Sequence, residues 1–280
     1  MAGPAIGSQG IITSWTGTNN TQLISALGEY NFQWQEDGGT VDRTAYAATT
    51  YSRAHGPGLR SWNGTITGRL LSTATPQVGG YAGNIGFGGS DMYATNVLSY
   101  SITLAAGEHD ITPYNAAATT AGWKSFRPGL ISLSGTYEAL VDVTTPIKNL
   151  FTSSTSLPTA TFTLTSGNSI QCSIVPTQLS EGMPVGDLIK ITYGFQSSGA
   201  ITIATGDDVN LFDATTNLVT PEWDADTDGV GDTTLTWAAV SGSRTRAGAA
   251  FWTSVGITHN PANYTDVAVA FRGTGALTIA

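Results

Sequence analysis

Two stretches of this chain repeat each other, and a repeated segment must form an equivalent structural unit twice. Residues 30–76 carry an alternating strand pattern (Tyr30, Phe32, Trp34), then Asp42-x-Thr44-x-Tyr46, then Pro57-Gly58-Leu59-x-Ser61-x-x-Gly64-Thr65, and close at Thr75-Pro76. Residues 100–146 run through the same landmarks: Tyr100, Ile102 and Leu104, then Asp110-x-Thr112-x-Tyr114, then Pro128-Gly129-Leu130-x-Ser132-x-x-Gly135-Thr136, closing at Thr145-Pro146. The offset is about 70 residues. A second pair follows. Ile189, Ile191 and Tyr193 alternate into Phe195-Gln-Ser-Ser-Gly199-Ala200-Ile-Thr202, and Val267 and Val269 into Phe271-Arg-Gly-Thr-Gly275-Ala276-Leu-Thr278. Both are strand–turn–strand elements by their period-2 alternation.

The order of the copies sets the expected domains. With the first-type copies before the second-type copies, two complete domains arise most simply by nesting. Residues 96–205 then form an inserted domain, and residues 1–95 join residues 206–280 in a discontinuous outer one. Exchange of strands between the two is the open alternative. Composition sets the class: 34 Gly and 11 Pro among 280 residues, with sparse helix formers and abundant Thr, Val, Ile and aromatics, favour sheets. The expectation is an all-β chain of two similar β-sandwich or barrel domains from an internal duplication. Helix is confined to one short candidate, Thr145 to Phe151, with a Thr N-cap and Pro at N1.

Charge excludes several functions. Eleven Lys and Arg against twenty Asp and Glu give a net charge of −9, which argues against gripping nucleic acid through its phosphates. With 11% charged residues, the surface is polar but nearly uncharged. Cys172 is the single cysteine, so neither an intrachain disulfide nor a cysteine-held metal cluster can form. The N-terminal residues lack a basic start and an apolar run, and no stretch approaches the roughly 18 apolar residues of a membrane span, which predicts a soluble chain made without a cleavable signal.

Little in the chain suggests catalysis or a cofactor. His55, His109 and His259 stand far apart, with no metalloprotease or nucleophile-elbow motif, and Gly86-Phe-Gly88-Gly89 lacks the spacing of a phosphate loop. An enzyme is not expected. One ligand pattern stands out. Asp224, Asp226, Asp228 and Asp232 fall at positions 1, 3, 5 and 9 around a turn glycine, Gly229, the spacing by which a tight loop converges oxygens on Ca²⁺. Position 12 is Leu235 where a bidentate acid belongs, so such a site needs a donor from elsewhere. The stretch 206–240, with eight acids and no Lys or Arg, reads equally well as a solvated acidic loop. Trp34, Trp62, Trp123, Trp237 and Trp252 read as core or interface anchors, with a sugar platform as the rival reading.

The run Asp110-Ile-Thr112-Pro-Tyr, then Gly122-Trp123-Lys-Ser-Phe126-Arg-Pro128-Gly129-Leu130-Ile-Ser-Leu-Ser134-Gly135-Thr-Tyr137, and later Gly186-Asp187 through Phe195-Gln-Ser-Ser-Gly199-Ala200, resembles the major tail tube proteins of long-tailed, siphovirus-type bacteriophages. The first half repeats the pattern with Asp42-Arg-Thr44 and Gly56-Pro57-Gly58-Leu59-Arg-Ser-Trp62-Asn-Gly64, and its closing strand is Ala268 to Thr278. Coverage is roughly two thirds of the chain; residues 77–95 and 206–240 have no counterpart. The resemblance implies a structural virion protein, made in the host cytoplasm, whose rings stack into a tail tube that delivers DNA to the host. It implies self-association, contacts with tape measure and tail-end proteins, DNA that passes without specific binding, and no cofactor or membrane. Six-fold rings of single-domain relatives, combined with the duplication, favour a trimer with pseudo-six-fold symmetry; a hexamer with one domain outward is the alternative. From other classes come a secreted carbohydrate-binding or adhesion β-sandwich module and another virion decoration or spike protein.

Overall fold

The computed structural model describes residues 11–16, 27–42, 53, 55–70, 84–88, 97–113, 122–140, 157–165, 168–183, 187–204, 233–238, 244–259 and 265–280. Among these there are twelve strands and no helix: β1 (Ile11–Trp15), β2 (Leu27–Asp42), β3 (His55–Leu70), β4 (Asn84–Gly88), β5 (Val97–Asp110), β6 (Phe126–Leu140), β7 (Thr159–Thr165), β8 (Asn168–Gly182), β9 (Lys190–Ala204), β10 (Thr234–Ala238), β11 (Thr245–His259) and β12 (Asp266–Ile279). The helix expected over 145–151 lies outside the described residues.

The chain is all-β, as its composition predicts, but all twelve strands belong to one antiparallel sheet rather than to two separate ones. The strands form two six-strand paths, β1-β10-β11-β12-β3-β2 and β4-β7-β8-β9-β6-β5, hydrogen-bonded to each other where β11 meets β5. Six residue pairs make that junction, from Ser254 opposite Ala105 to His259 opposite Tyr100. β4 lies within residues 1–95 yet pairs with β7, so it belongs to the second path.

The two paths share several landmarks. A Cβ on Gly64 would strike the carbonyl of Gln33 and the ring of Phe271; on Gly135 it would strike the carbonyl of Ser101 and the ring of Phe195. Gly275 and Gly199 both hold positive φ, 73° and 81°, a conformation that a side chain disfavours; they mark irregularities inside β12 and β9, so each of the two expected strand–turn–strand elements is one continuous strand with a bulge. The irregularities match as well. β2 shifts register between Gly38 and Thr40 and β5 between Ala106 and Glu108; β11 shifts between Trp252 and Ser254 and β8 between Pro176 and Gln178. This register puts Phe32, not Tyr30, in the place of Tyr100, because Phe32 faces Ile66 as Tyr100 faces Tyr137. A period-2 pattern looks the same after a slip of two residues, so alternation alone mis-set the alignment.

Each path curls until its far strands meet. In the first, Phe32 and Trp34 of β2 lie edge-on to Trp237 of β10, at 5.7 and 5.3 Å, and Trp15 of β1 stacks on Trp252 at 3.9 Å. In the second, Tyr100 of β5 and Phe195 of β9 pack on Phe162 of β7, at 5.8 and 5.2 Å, and the Tyr100 hydroxyl donates to the Thr163 carbonyl. Most of the buried apolar side chains, among them Trp62, Ile66, Leu104, Leu133, Tyr137, Val255 and Phe271, join in one core, and Phe126 and Phe251 form a separate cluster.

Candidate functional site

Alternation along the strands leaves the sheet with one apolar and one polar face. On the core face, Phe32, Ile66, Val269, Val255, Leu104 and Leu133 stand opposite one another from β2 to β6. The other face carries an unbroken cross-strand row over eight strands: Asn31, Thr67, Ala268, Gly256, Thr103, Ser134, Gln196 and Val175. A parallel row runs Arg69, Asp266, Thr258, Ser101, Thr136, Gly194 and Gln178. The central strands of this surface therefore carry mostly small, uncharged side chains, and around Gly256, Ala268 and Thr103 it dips into an open depression of about 640 Å³.

Several charges on this face, which also carries Glu138 and Lys190, have polar or oppositely charged neighbours. Arg69 stands opposite Asp266. Arg272 sits 3.9 Å over the Phe126 ring and 3.5 Å from Glu108. Asp37 accepts from the side-chain amides of Gln35 and Asn63 at 3.2 and 3.3 Å. No residue of the eight-strand row is charged, so the row itself offers no cation to a phosphate backbone.

The segment 122–126 locks the two paths together. Arg60 N–H donates to the Gly122 carbonyl at 2.7 Å, Lys124 N–H to Arg60 at 2.8 Å, and Gly275 N–H to Lys124 at 3.0 Å. Phe126 N–H donates to the Thr274 hydroxyl at 3.0 Å, while the Arg60 guanidinium lies 4.2 Å over buried Trp123. Asp110 starts the turn leading into this segment by accepting from Thr112 N–H at 2.9 Å. Hydrogen bonds from Thr112 hold its carboxyl below the usual range, helped by Lys124 at 3.8 Å. In the sequence Gly122-Trp123 is only a landmark of the family pattern, since docking onto the other path is invisible in a linear pattern.

Among the described residues, both ends of the eight-strand row have an open edge, and β1 and β4 also pair on one side only. Among the described residues, β2 pairs only with β3, and β8 pairs with β7 through its first half alone, leaving residues 178–182 without an outer neighbour. Apolar side chains gather beside the second opening, where Met183 is 65% and Leu188 60% exposed.

The expected ligand residues divide as follows. Asp224, Asp226, Asp228 and Asp232 lie outside the described residues. Among the described residues no three His, Cys, Asp or Glu come together as a metal site. His55 and His109 are exposed and apart; His259 is buried, stacked at 4.8 Å on Tyr100, and burial lowers its pKa. Cys172 is buried, its thiol pushed up to about 11 by desolvation. Trp15, Trp62, Trp123, Trp237 and Trp252 are all buried and Trp34 half-buried, which makes them core anchors and leaves no sugar platform among them.

No family model matches the chain, and no curated protein matches it. Solved structures give two partial likenesses. A chain of the tail of an empty gene transfer agent particle, refined with C6 symmetry, has a TM-score of 0.34 at 14% identity, over 39% of this chain and 83% of that one. A chain of the native gene transfer agent virion has a TM-score of 0.31 at 13% identity, over 41% of this chain and 99% of that one. At those scores and identities neither likeness establishes a shared fold or role.

Proposed function

We propose that this chain is a structural virion subunit whose copies join edge to edge into rings, which stack into a tail tube that conducts DNA without binding it. The observation that carries the reading is the uncharged, mostly polar row crossing eight consecutive strands, with an open edge at each end. A channel wall needs such a surface: continuous, hydrated and free of cationic groups that would retain phosphates. The net charge of −9 adds weak repulsion within a Debye length.

Strand number argues for several chains per ring. An eight-stranded barrel is filled by its own side chains, whereas much larger barrels leave an aqueous channel. Three chains bring three times eight strands. At roughly 4.8 Å per strand that wall has a circumference of about 115 Å and a diameter near 37 Å before tilt widens it. The reading takes the two six-strand paths as duplicated copies of one unit, nested in sequence, so that a trimer has pseudo-six-fold symmetry. Tape measure and tail-end proteins are its expected partners. Burial of the tryptophans disfavours the carbohydrate-binding alternative.

Negative-stain microscopy of purified protein tests the reading, with symmetry analysis of the images counting chains per ring. Rings or tubes with three chains per layer are expected. A protein that stays monomeric at high concentration refutes the tube, and six chains per layer with one unit outside the wall refute the trimer alone.

A further inference from the structure

We propose that a second copy of this chain docks residues 178–183, at the end of β8, antiparallel against residues 32–37 of β2, in the register of the internal β11–β5 junction. The inference rests on the assembly reading above and names its seam.

The internal junction is heterologous: it joins the last strand of one four-strand set, β2-β3-β12-β11, to the first strand of the other, β5-β6-β9-β8. The shared landmarks place β8 in the role of β11 and β2 in the role of β5. What β11 does to β5 within the chain, β8 is shaped to do to β2 of a neighbour. The open edges are the ones this requires, since β11 gives its first half to β10 and its second half to β5, while β8 gives its first half to β7 and nothing described pairs with its second. A heterologous contact repeats around an axis until it closes.

The register follows from three matched landmarks. Phe271 corresponds to Phe195, Gly64 to Gly135, and the β11 and β8 irregularities coincide. Ser254, Gly256 and Ile257 then correspond to Gln178, Ser180 and Glu181, while Ala105, Thr103 and Ile102 correspond to Asp37, Gln35 and Trp34. In the seam, Gln178 faces Asp37, Ser180 faces Gln35, and Glu181 faces Trp34 of the neighbour. The last pairing accounts for an acid on the core side of β8, where the internal junction has buried Ile257: Arg246 lies 5.0 Å over the Trp34 ring, so the incoming carboxylate meets a guanidinium. Met183 lands on half-buried Phe32, covering two apolar groups at once.

Paired cysteines test the seam in the full chain. Ser180→Cys with Gln35→Cys, and Leu179→Cys with Glu36→Cys, sample the two kinds of cross-strand pair; Ser180→Cys with Gln33→Cys is slipped by two residues. After mild oxidation, at least one in-register pair should give covalent dimers and trimers on non-reducing gels, ending at three chains and about tenfold above the slipped pair. The charge pair gives a second readout. Glu181→Arg and Arg246→Glu should each weaken assembly about tenfold, a change of roughly 1.4 kcal/mol, and the double variant should recover it. In-register pairs no better than the slipped one, with no recovery in the double variant, overturn the seam. If those variants still form tubes, the tube reading stands without it; a monomeric parent removes both.

Discussion

Gly273 and Gly256 occupy neighbouring strands of the same sheet, yet a methyl group would have opposite effects on them. A Cβ on Gly273 would lie inside the indole of Trp62, which is fully buried and hemmed in by Trp237 at 5.5 Å and Phe271 at 6.1 Å. Gly273→Ala should therefore cost about 3 kcal/mol or more, the upper end for overpacked cores. A Cβ on Gly256 would meet the Ala268 carbonyl and Thr103 hydroxyl at 3.6 Å, ordinary contact distance. Gly256→Ala should be neutral or gain about 0.5 kcal/mol by restricting the unfolded chain. Thermal or denaturant unfolding of the two variants checks the contrast. His259 makes a pH prediction at the same scale. Burial against Tyr100, with Thr265 at 3.4 Å from Nδ1, lowers its pKa below 6.5. The unfolded chain takes up the proton first, so the stability that neutral His259 supports is fully present above about pH 6.5 and is lost as pH falls from there toward the folded pKa. His259→Gln should flatten that part of the stability–pH curve, measured by denaturant midpoint between pH 5 and 7.5.

The two paths share landmarks at the scale of elements as well. Trp237 on β10 and Phe162 on β7 stand at equivalent points, each paired across to a buried isoleucine, Ile12 or Ile85, and each closing the curl of its own path. Trp237→Ala removes an indole that contacts Phe32, Trp34 and Trp62, and should cost about 3–5 kcal/mol. Hydrogen exchange should locate the loosening in β1 and β10, while Phe162→Ala loosens β4 and β7; a uniform loss across both paths would mean that they do not behave as separate cooperative units. The landmarks legible in the sequence are those where the backbone leaves no freedom, such as Gly64 and Gly135 under a phenylalanine ring or Gly199 and Gly275 at positive φ. The two-residue slip went unseen because alternation cannot register it, and β4 because five residues carry too little pattern to assign to a path. The β11–β5 junction was not legible either, since it pairs strands distant in sequence. Nor was the Tyr100–His259 stack: Tyr100 reads as a strand residue, but His259 reads as a loop or surface histidine, and its burial at the end of β11 corrects that.

At the scale of the whole molecule, the low charge density was legible from composition, but its arrangement was not: only the sheet register shows that the uncharged residues fall in one row over eight strands. If that row lines the channel, cationic groups placed on it should turn a surface that lets DNA slide into one that holds it. Thr67→Arg, Thr103→Arg and Ser134→Arg together add three guanidinium groups per chain, on strands β3, β5 and β6. The net charge changes only from −9 to −6, so overall repulsion remains and any gain in binding comes from placement. Assembled parent tubes should retain no duplex DNA, whereas the triple variant should retain it at roughly 50 mM salt and release it by about 200 mM, with a log–log slope near −0.9 per phosphate contacted. A control carries the same three charges at Thr13, Gln171 and Thr202, which are exposed and lie outside the row. Retention by the row variant but not by the control ties the polar face to the lumen. Equal retention by both reduces the effect to bulk charge, and assembled row-variant tubes that retain nothing put the row on a surface that DNA does not reach.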